Sequence, residues 1–199
     1  LVEIYSKHGL SEVFGNRWPL FSQDPERFVQ KALAKGYKLG FTAGTDTHIS
    51  RPGSNMPEFR RGIRYPKGGL TAVWAKELTR ASIFDALKNR RCYATTGERI
   101  ILKFNLQGNP MGSIVHRHSI SELTLYIFVA GTERLEKVEL IRNNHVIDTR
   151  STNEEFIEFK YHDTETIEAK ELFYYVRVTQ VDGNMAWSSP CLLYTSDAA

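Results

Sequence analysis

The stretch Leu172–Pro190, "LFYYVRVTQVDGNMAWSSP", decides how the second half of the chain folds. A long apolar run meets the pair Asp182-Gly183, and a second apolar run follows it. Asp-Gly between two such runs is the turn chemistry of a β-hairpin, because both residues tolerate positive φ. The segments upstream have the same texture. "RIILKFNLQG", "ELTLYIFVAG", "KVELIRNNHVID" and "EFIEFKYHD" are short strand-like runs separated by turns, with Asn143-Asn144 at a second hairpin position. Several alternate apolar and polar residues, the pattern of a strand with one buried face. Regular strands with no helix between them predict an immunoglobulin-like β-sandwich over residues 99–190.

Residues 1–98 read differently. "VEIY", "KLGFTAG" and "LTAVWA" are strand candidates. "DPERFVQKALAKG" is a helix with Asp24 as cap, Pro25 in the first position and Gly36 at its end. Its apolar face is Phe28, Val29, Ala32 and Leu33. "TRASIFDALKNRR" is a second helix, capped by Thr79. "ISRPGSNMPEFRRG" is rich in Pro, Gly and polar residues and reads as a loop. Strands alternating with helices predict parallel pairing, so an α/β unit precedes the all-β one, with the boundary near Gly97.

The chain has 199 residues, with 41% hydrophobic and 25% charged, a composition that supports one large domain or two small ones. Its net charge of +3 is dispersed, so no nucleic-acid partner is indicated. No apolar run approaches the roughly 20 residues of a membrane span. The chain opens on "LVEIY" without a Met, as a fragment entered partway through a domain, and its compartment stays open. The last residues, "CLLYTSDAA" (191–199), extend no earlier pattern. They resemble the translation of a sequencing-library adapter, so a non-native tail is expected there.

"FTAGTDTHIS", Phe41–Ser50, ends a strand in an acid and an imidazole. In α/β units functional groups gather at the carboxyl ends of parallel strands. Asp46 and His48 lie just past one such end, and the earlier "VEIYSKHGLSE" carries Glu3, His8 and Glu12. Carboxylates with neutral imidazoles suit Zn, Mn or Fe. An ordinary Asp-Thr turn with a surface histidine fits the same residues.

These segments, with "GGLTAVWAKELTRASIFDALKNRRCYATTGERI" and "AWSSP", together resemble the PHP (polymerase and histidinol phosphatase) superfamily of metal-dependent phosphoesterases. They are more closely similar to a PHP-like bacterial family of unknown function. The resemblance implies the C-terminal part of a distorted (β/α)7 barrel holding two or three divalent ions. It implies Asp46 and His48 as the closing Asp-x-His ligands and catalytic groups, and Glu3 and His8 as further metal ligands. It also implies metal-activated hydrolysis of a small-molecule or phosphoester substrate. Arg51, three residues after His48 in the "SRPG" loop, has a fork that matches a phosphate oxygen, and an ordinary solvated loop arginine fits the same position. The superfamily's opening His-x-His is absent, so little or no catalysis is expected of the fragment. The alternative is a non-catalytic module that binds carbohydrate or protein beside a degenerate barrel.

Other polar residues read as structural. Arg80, Arg90, Arg91 and Arg99 surround the second helix, where last-turn arginines complement the dipole. His116-x-His118 lies at a strand entrance with no acidic cluster, and His145 and His162 fall in turns. Cys92 reads as a small buried residue. Trp74, Phe84, Tyr93, Tyr126, Phe128, Tyr174, Tyr175 and Trp187 have core spacing rather than that of a sugar platform.

Overall fold

In the computed structural model of the chain, residues 1–18, 20, 24–48, 54, 58–60, 63–65, 67–117, 122–164 and 171–195 are described. They stack in three layers. The first is a small α/β unit. β1 (Val2–Ser6), β2 (Gly9–Leu10) and β3 (Phe41–Ala43) form a sheet in the order β2-β1-β3. β1 and β3 are parallel, with Val2 opposite Phe41 and Tyr5 opposite Ala43. The crossover holds a 3-10 turn, Pro25–Arg27, and α1 (Val29–Ala34). Asp24 caps the turn by accepting from the Glu26 amide. The helix expected from Asp24 onward is interrupted because Phe28 is extended (φ −91°, ψ 149°). That kink lets Phe28, Val29 and Leu33 all reach the core.

The barrel expectation fails at the next strands. β4 (Glu58–Arg60), inside the stretch read as a loop, pairs antiparallel with β5 (Ile63–Tyr65) just after it. β6 (Leu70–Val73) leads into α2 (Arg80–Lys88), where Thr79 Oγ1 accepts from the Ser82 amide. β7 (Cys92–Thr95) then returns antiparallel to β6, with Leu70 opposite Thr95. No second βαβ crossover forms among the described residues. Instead of a further barrel strand, side chains close the outer edge of β3. Thr71 Oγ1 donates to Ala43 O (2.7 Å) and accepts from Ala43 N (2.9 Å). Ser189 Oγ accepts from Phe41 N (2.8 Å). An edge satisfied in this way recruits no strand, which also blunts its tendency to aggregate. Among the described residues the fold is therefore predominantly β, with one βαβ unit and no (β/α)7 barrel.

The remaining strands are β8 (Ile101–Leu106), β9 (Asn109–Pro110), β10 (Ile114–Arg117), β11 (Leu123–Ala130), β12 (Leu135–Arg142), β13 (His145–Arg150), β14 (Phe156–Asp163), β15 (Glu171–Gln180), β16 (Met185–Ser188) and β17 (Cys191–Thr195). The outer sheet runs β14-β11-β8-β9. The central sheet runs β10-β17-β15-β16-β7-β6, with β12 on the other edge of β15 and β13 beyond it. It therefore crosses the sequence boundary at residue 98 without a break. The sequence places no element after Pro190, yet β17 forms there between β10 and β15, with Cys191 and Leu193 buried. Hairpin turns stand where the sequence puts them, with Asn143, Asn144 and Gly183 at positive φ.

The central sheet is apolar on both faces. Tyr174, Val176, Val178 and Ala186 pack toward the outer sheet. Phe173, Tyr175, Met185 and Trp187 pack toward Ile4, Tyr5, Val29, Leu33 and Phe41 of the first layer. Glu12 fixes that junction from beneath. Its carboxylate accepts from Tyr175 OH (2.8 Å), Trp187 Nε1 (2.9 Å) and Arg177 Nη1 (3.0 Å). Arg177 Nε also donates to Glu139 (2.8 Å).

Candidate metal centre

The parallel pairing of β1 and β3 sets their carboxyl ends side by side. β1 turns back into β2 through Lys7 and His8, with Ser6 opposite Gly9. This tight turn presents the His8 imidazole at the sheet's end. β3 ends at Ala43, and Asp46 and His48 follow in its exit loop. Asp46 adopts φ 47°, the left-handed region that Asp visits more readily than most residues. A register shift between Glu3 and Tyr5 inserts one extra residue in β1. Such bulges re-aim side chains beside functional sites.

The result is one cluster. His8 Nε2 lies 3.2 Å from Asp46 Oδ2, and His48 Nε2 lies 3.3 Å from Asp46 Oδ1. The two imidazoles are 5.2 Å apart between centroids. One ligand atom from each residue falls within 4.8 Å of the others. Asp46 thus offers one oxygen to each histidine. Two imidazoles and a carboxylate are a donor set for Zn, Mn or Fe. The side chains keep 30%, 41% and 59% exposure for His8, Asp46 and His48, so solvent reaches the cluster.

Glu3 stands behind them. Residue-wide it is exposed, but its carboxylate tucks against Gly44, where a methyl group would lie 2.5 Å from Oε2. Burial of that carboxylate raises its pKa. A hydrogen bond with Ser6 opposes the rise, the Asp46 charge adds to it, and His8 opposes it. The contact with Gly44, two residues before Asp46, places Glu3 beside the same exit loop.

The structure thus brings together Glu3, His8, Asp46 and His48 of the residues expected from sequence. Arg51 lies outside the described residues. Glu12 is buried in the layer junction, held by three donors and away from the rim. His116 stacks on Tyr194 (5.5 Å between centroids), and His118 lies outside the described residues. His162 sits in β14, 2.7 Å from Glu122, rather than in a turn, and His145 opens β13. Cys92 is buried, which raises its pKa, as expected of an unreactive thiol.

Sequence reading missed the wall of the site formed by Lys67, Gly68 and Gly69. Tyr5 OH donates to Lys67 O (2.9 Å), and Gly69 N donates to Gly44 O (2.8 Å). A Cβ on Gly68 would stand 2.8 Å from Thr45 Cα. The Lys67 ammonium pairs with Glu98. The Gly-Gly pair, which allows this close backbone approach, was the only signal for it.

A family model described as a protein of unknown function (DUF3604) matches residues 56–109. An uncharacterized protein of Chlamydia pneumoniae is 37% identical over 212 residues, covering 96% of this chain and 33% of that protein. An uncharacterized protein of Chlamydia trachomatis is 34% identical over 219 residues, covering 96% of this chain and 34% of that protein. The chain therefore spans about a third of the length of these curated relatives. Among solved structures, the fibronectin(III)-like modules of Clostridium thermocellum CbhA align with a TM-score of 0.33 and 15% identity, over 50% of this chain and 100% of that one. The family model and the Chlamydia relatives correct the resemblance to PHP phosphoesterases. The family model that matches part of the chain is DUF3604, and among the described residues the barrel that the resemblance implied is not formed. The hydrolase and TIM-like barrel labels inherited from it fall with it. No helix among the described residues is long and apolar enough to cross a membrane.

Proposed function

We propose that the rim formed by β1 and β3 is a divalent-metal centre that acts on a small-molecule substrate. The observation that carries this reading is the convergence of His8, Asp46 and His48 within 4.8 Å on two different strand ends. A chance pair two residues apart needs only one exit loop, whereas this cluster needs the parallel register of β1 with β3 as well.

A divalent ion held there by His8, Asp46 and His48 would supply Lewis acidity. The chain's own residues do the rest. His8 and His48 give neutral nitrogen donors, and Asp46 gives a carboxylate between them. Glu3 supplies a second carboxylate, whose pKa burial raises. The partial exposure of the cluster admits a substrate from solvent.

Zinc titration of the chain by calorimetry tests the reading. One equivalent should bind to the wild type. Asp46→Ala should weaken binding by more than the roughly 10–100-fold that loss of an outer-shell partner costs. Equal affinity in the two proteins removes the site.

A further inference from the structure

Lys67 and Glu98 border the metal cluster without belonging to it. Tyr5, two residues along β1 from Glu3, holds the Lys67 carbonyl through its hydroxyl (2.9 Å). Gly68 lies against Thr45, next to Asp46, and the Gly69 amide donates to Gly44 O (2.8 Å). Residues 67–69 therefore run alongside the loop that carries Asp46 and His48. Lys67 opens this run, at the same end of the unit as the cluster. Its ammonium pairs with Glu98, just after the Gly97 turn that follows β7. The two side chains keep 37% and 27% exposure.

A pair this open to solvent adds little to stability. It does place a cation on the run that flanks the Asp46 loop, and the charged groups of that cluster, Glu3 and Asp46, are acidic. An anionic substrate approaching such a rim needs a counter-charge that the metal ligands do not supply. A lysine serves this purpose as a compact, mobile point charge with three donors. Glu98 keeps it in place between substrates.

We infer that Lys67 is the substrate-anchoring cation of this site and binds an oxyanion group of the substrate, phosphoryl or carboxylate, in exchange for Glu98. The inference rests on the metal-centre reading. It assigns the site an anionic substrate, with Lys67 contacting the part of it that is not transformed.

The test is calorimetric titration of inorganic phosphate, and separately of acetate, into the zinc-loaded chain. The proteins compared are the wild type, Lys67→Ala, Lys67→Arg and Glu98→Gln, with zinc content measured for each. Wild type should bind at least one of the two anions, and the tighter one names the substrate's anionic group. Lys67→Ala should weaken that anion about tenfold, the loss of one hydrogen bond to a charged group. Lys67→Arg should retain most of the affinity. Glu98→Gln, which leaves Lys67 in place, should tighten it and so reports even if Lys67→Ala fails to fold. Full zinc content with unchanged anion affinity across the variants overturns this inference alone, as does a zinc-loaded wild type that binds neither anion. A wild type that takes up no zinc overturns the metal centre and this inference together.

Discussion

Gly44 is the residue on which the geometry of the rim turns. Its missing side chain leaves the space that the Glu3 carboxylate occupies, 2.5 Å from where a Cβ would stand. The obstructing atom is the end of a flexible side chain, and Gly44 needs no positive φ. Gly44→Ala should therefore fold normally and displace Glu3 from the rim. We expect unchanged thermal unfolding and a zinc affinity lowered by about 10–100-fold, the range for loss of a supporting partner; calorimetry and melting curves on the same sample check both. At this scale the sequence was readable where the signal was local. The Asp-x-His pattern at a strand exit points to Asp46 and His48, and the short turn after β1 brings His8. Glu12 was ambiguous because its partners Tyr175, Arg177 and Trp187 are more than 160 residues away. Lys67 was silent for the same reason, since its significance comes from Tyr5 and Thr45.

At the scale of elements, the edge of β3 explains why a βαβ beginning does not continue into a barrel. Thr71 Oγ1 serves as donor and acceptor for the Ala43 backbone, and Ser189 serves Phe41. Thr71→Val keeps the shape and leaves the Ala43 amide and carbonyl without those partners. A loss of about 1–3 kcal/mol is expected in denaturant unfolding, together with increased aggregation from the reopened edge. Unfolding at the wild-type denaturant midpoint would contradict this role for Thr71. The strand and helix read in residues 70–91 gave no sign of the antiparallel return of β7. Helix periodicity reports which face is buried, not which edge the next strand joins. "CYAT" is also buried along its whole length, so it lacks the alternation that marks a strand.

The whole molecule is three layers, and the layer a strand occupies is written in its pattern. β11, in the outer sheet, alternates buried and half-buried residues along its length, while β15, in the central sheet, is buried almost continuously. Continuous apolar runs belong to strands covered on both faces. "LFYYVRVTQ" thus signals a middle layer, a distinction that a two-layer reading overlooks. The N-terminal unit that carries the candidate metal rim is docked on this layer through Glu12, Arg177 and Glu139. Burial pushes the Glu139 carboxyl up, but hydrogen bonds and charge from Arg177 and Lys137 outweigh it and hold its pKa below 4.5. A lowered carboxyl pKa stabilises the fold above the ordinary carboxylate range, and that contribution is lost as pH falls through the folded-state value. Glu139→Gln should therefore destabilise the chain by roughly 1.5–3 kcal/mol at pH 7, with the difference closing as pH falls below 4.5. A constant difference from pH 7 to pH 3 in urea unfolding would contradict this ion pair's role.

The most direct test of the metal centre is anomalous diffraction at the zinc edge from crystals of the chain soaked in zinc. A single strong peak about 2.0–2.2 Å from the imidazole nitrogens of His8 and His48 and from an Asp46 oxygen is expected. A peak elsewhere, or none, would contradict the account.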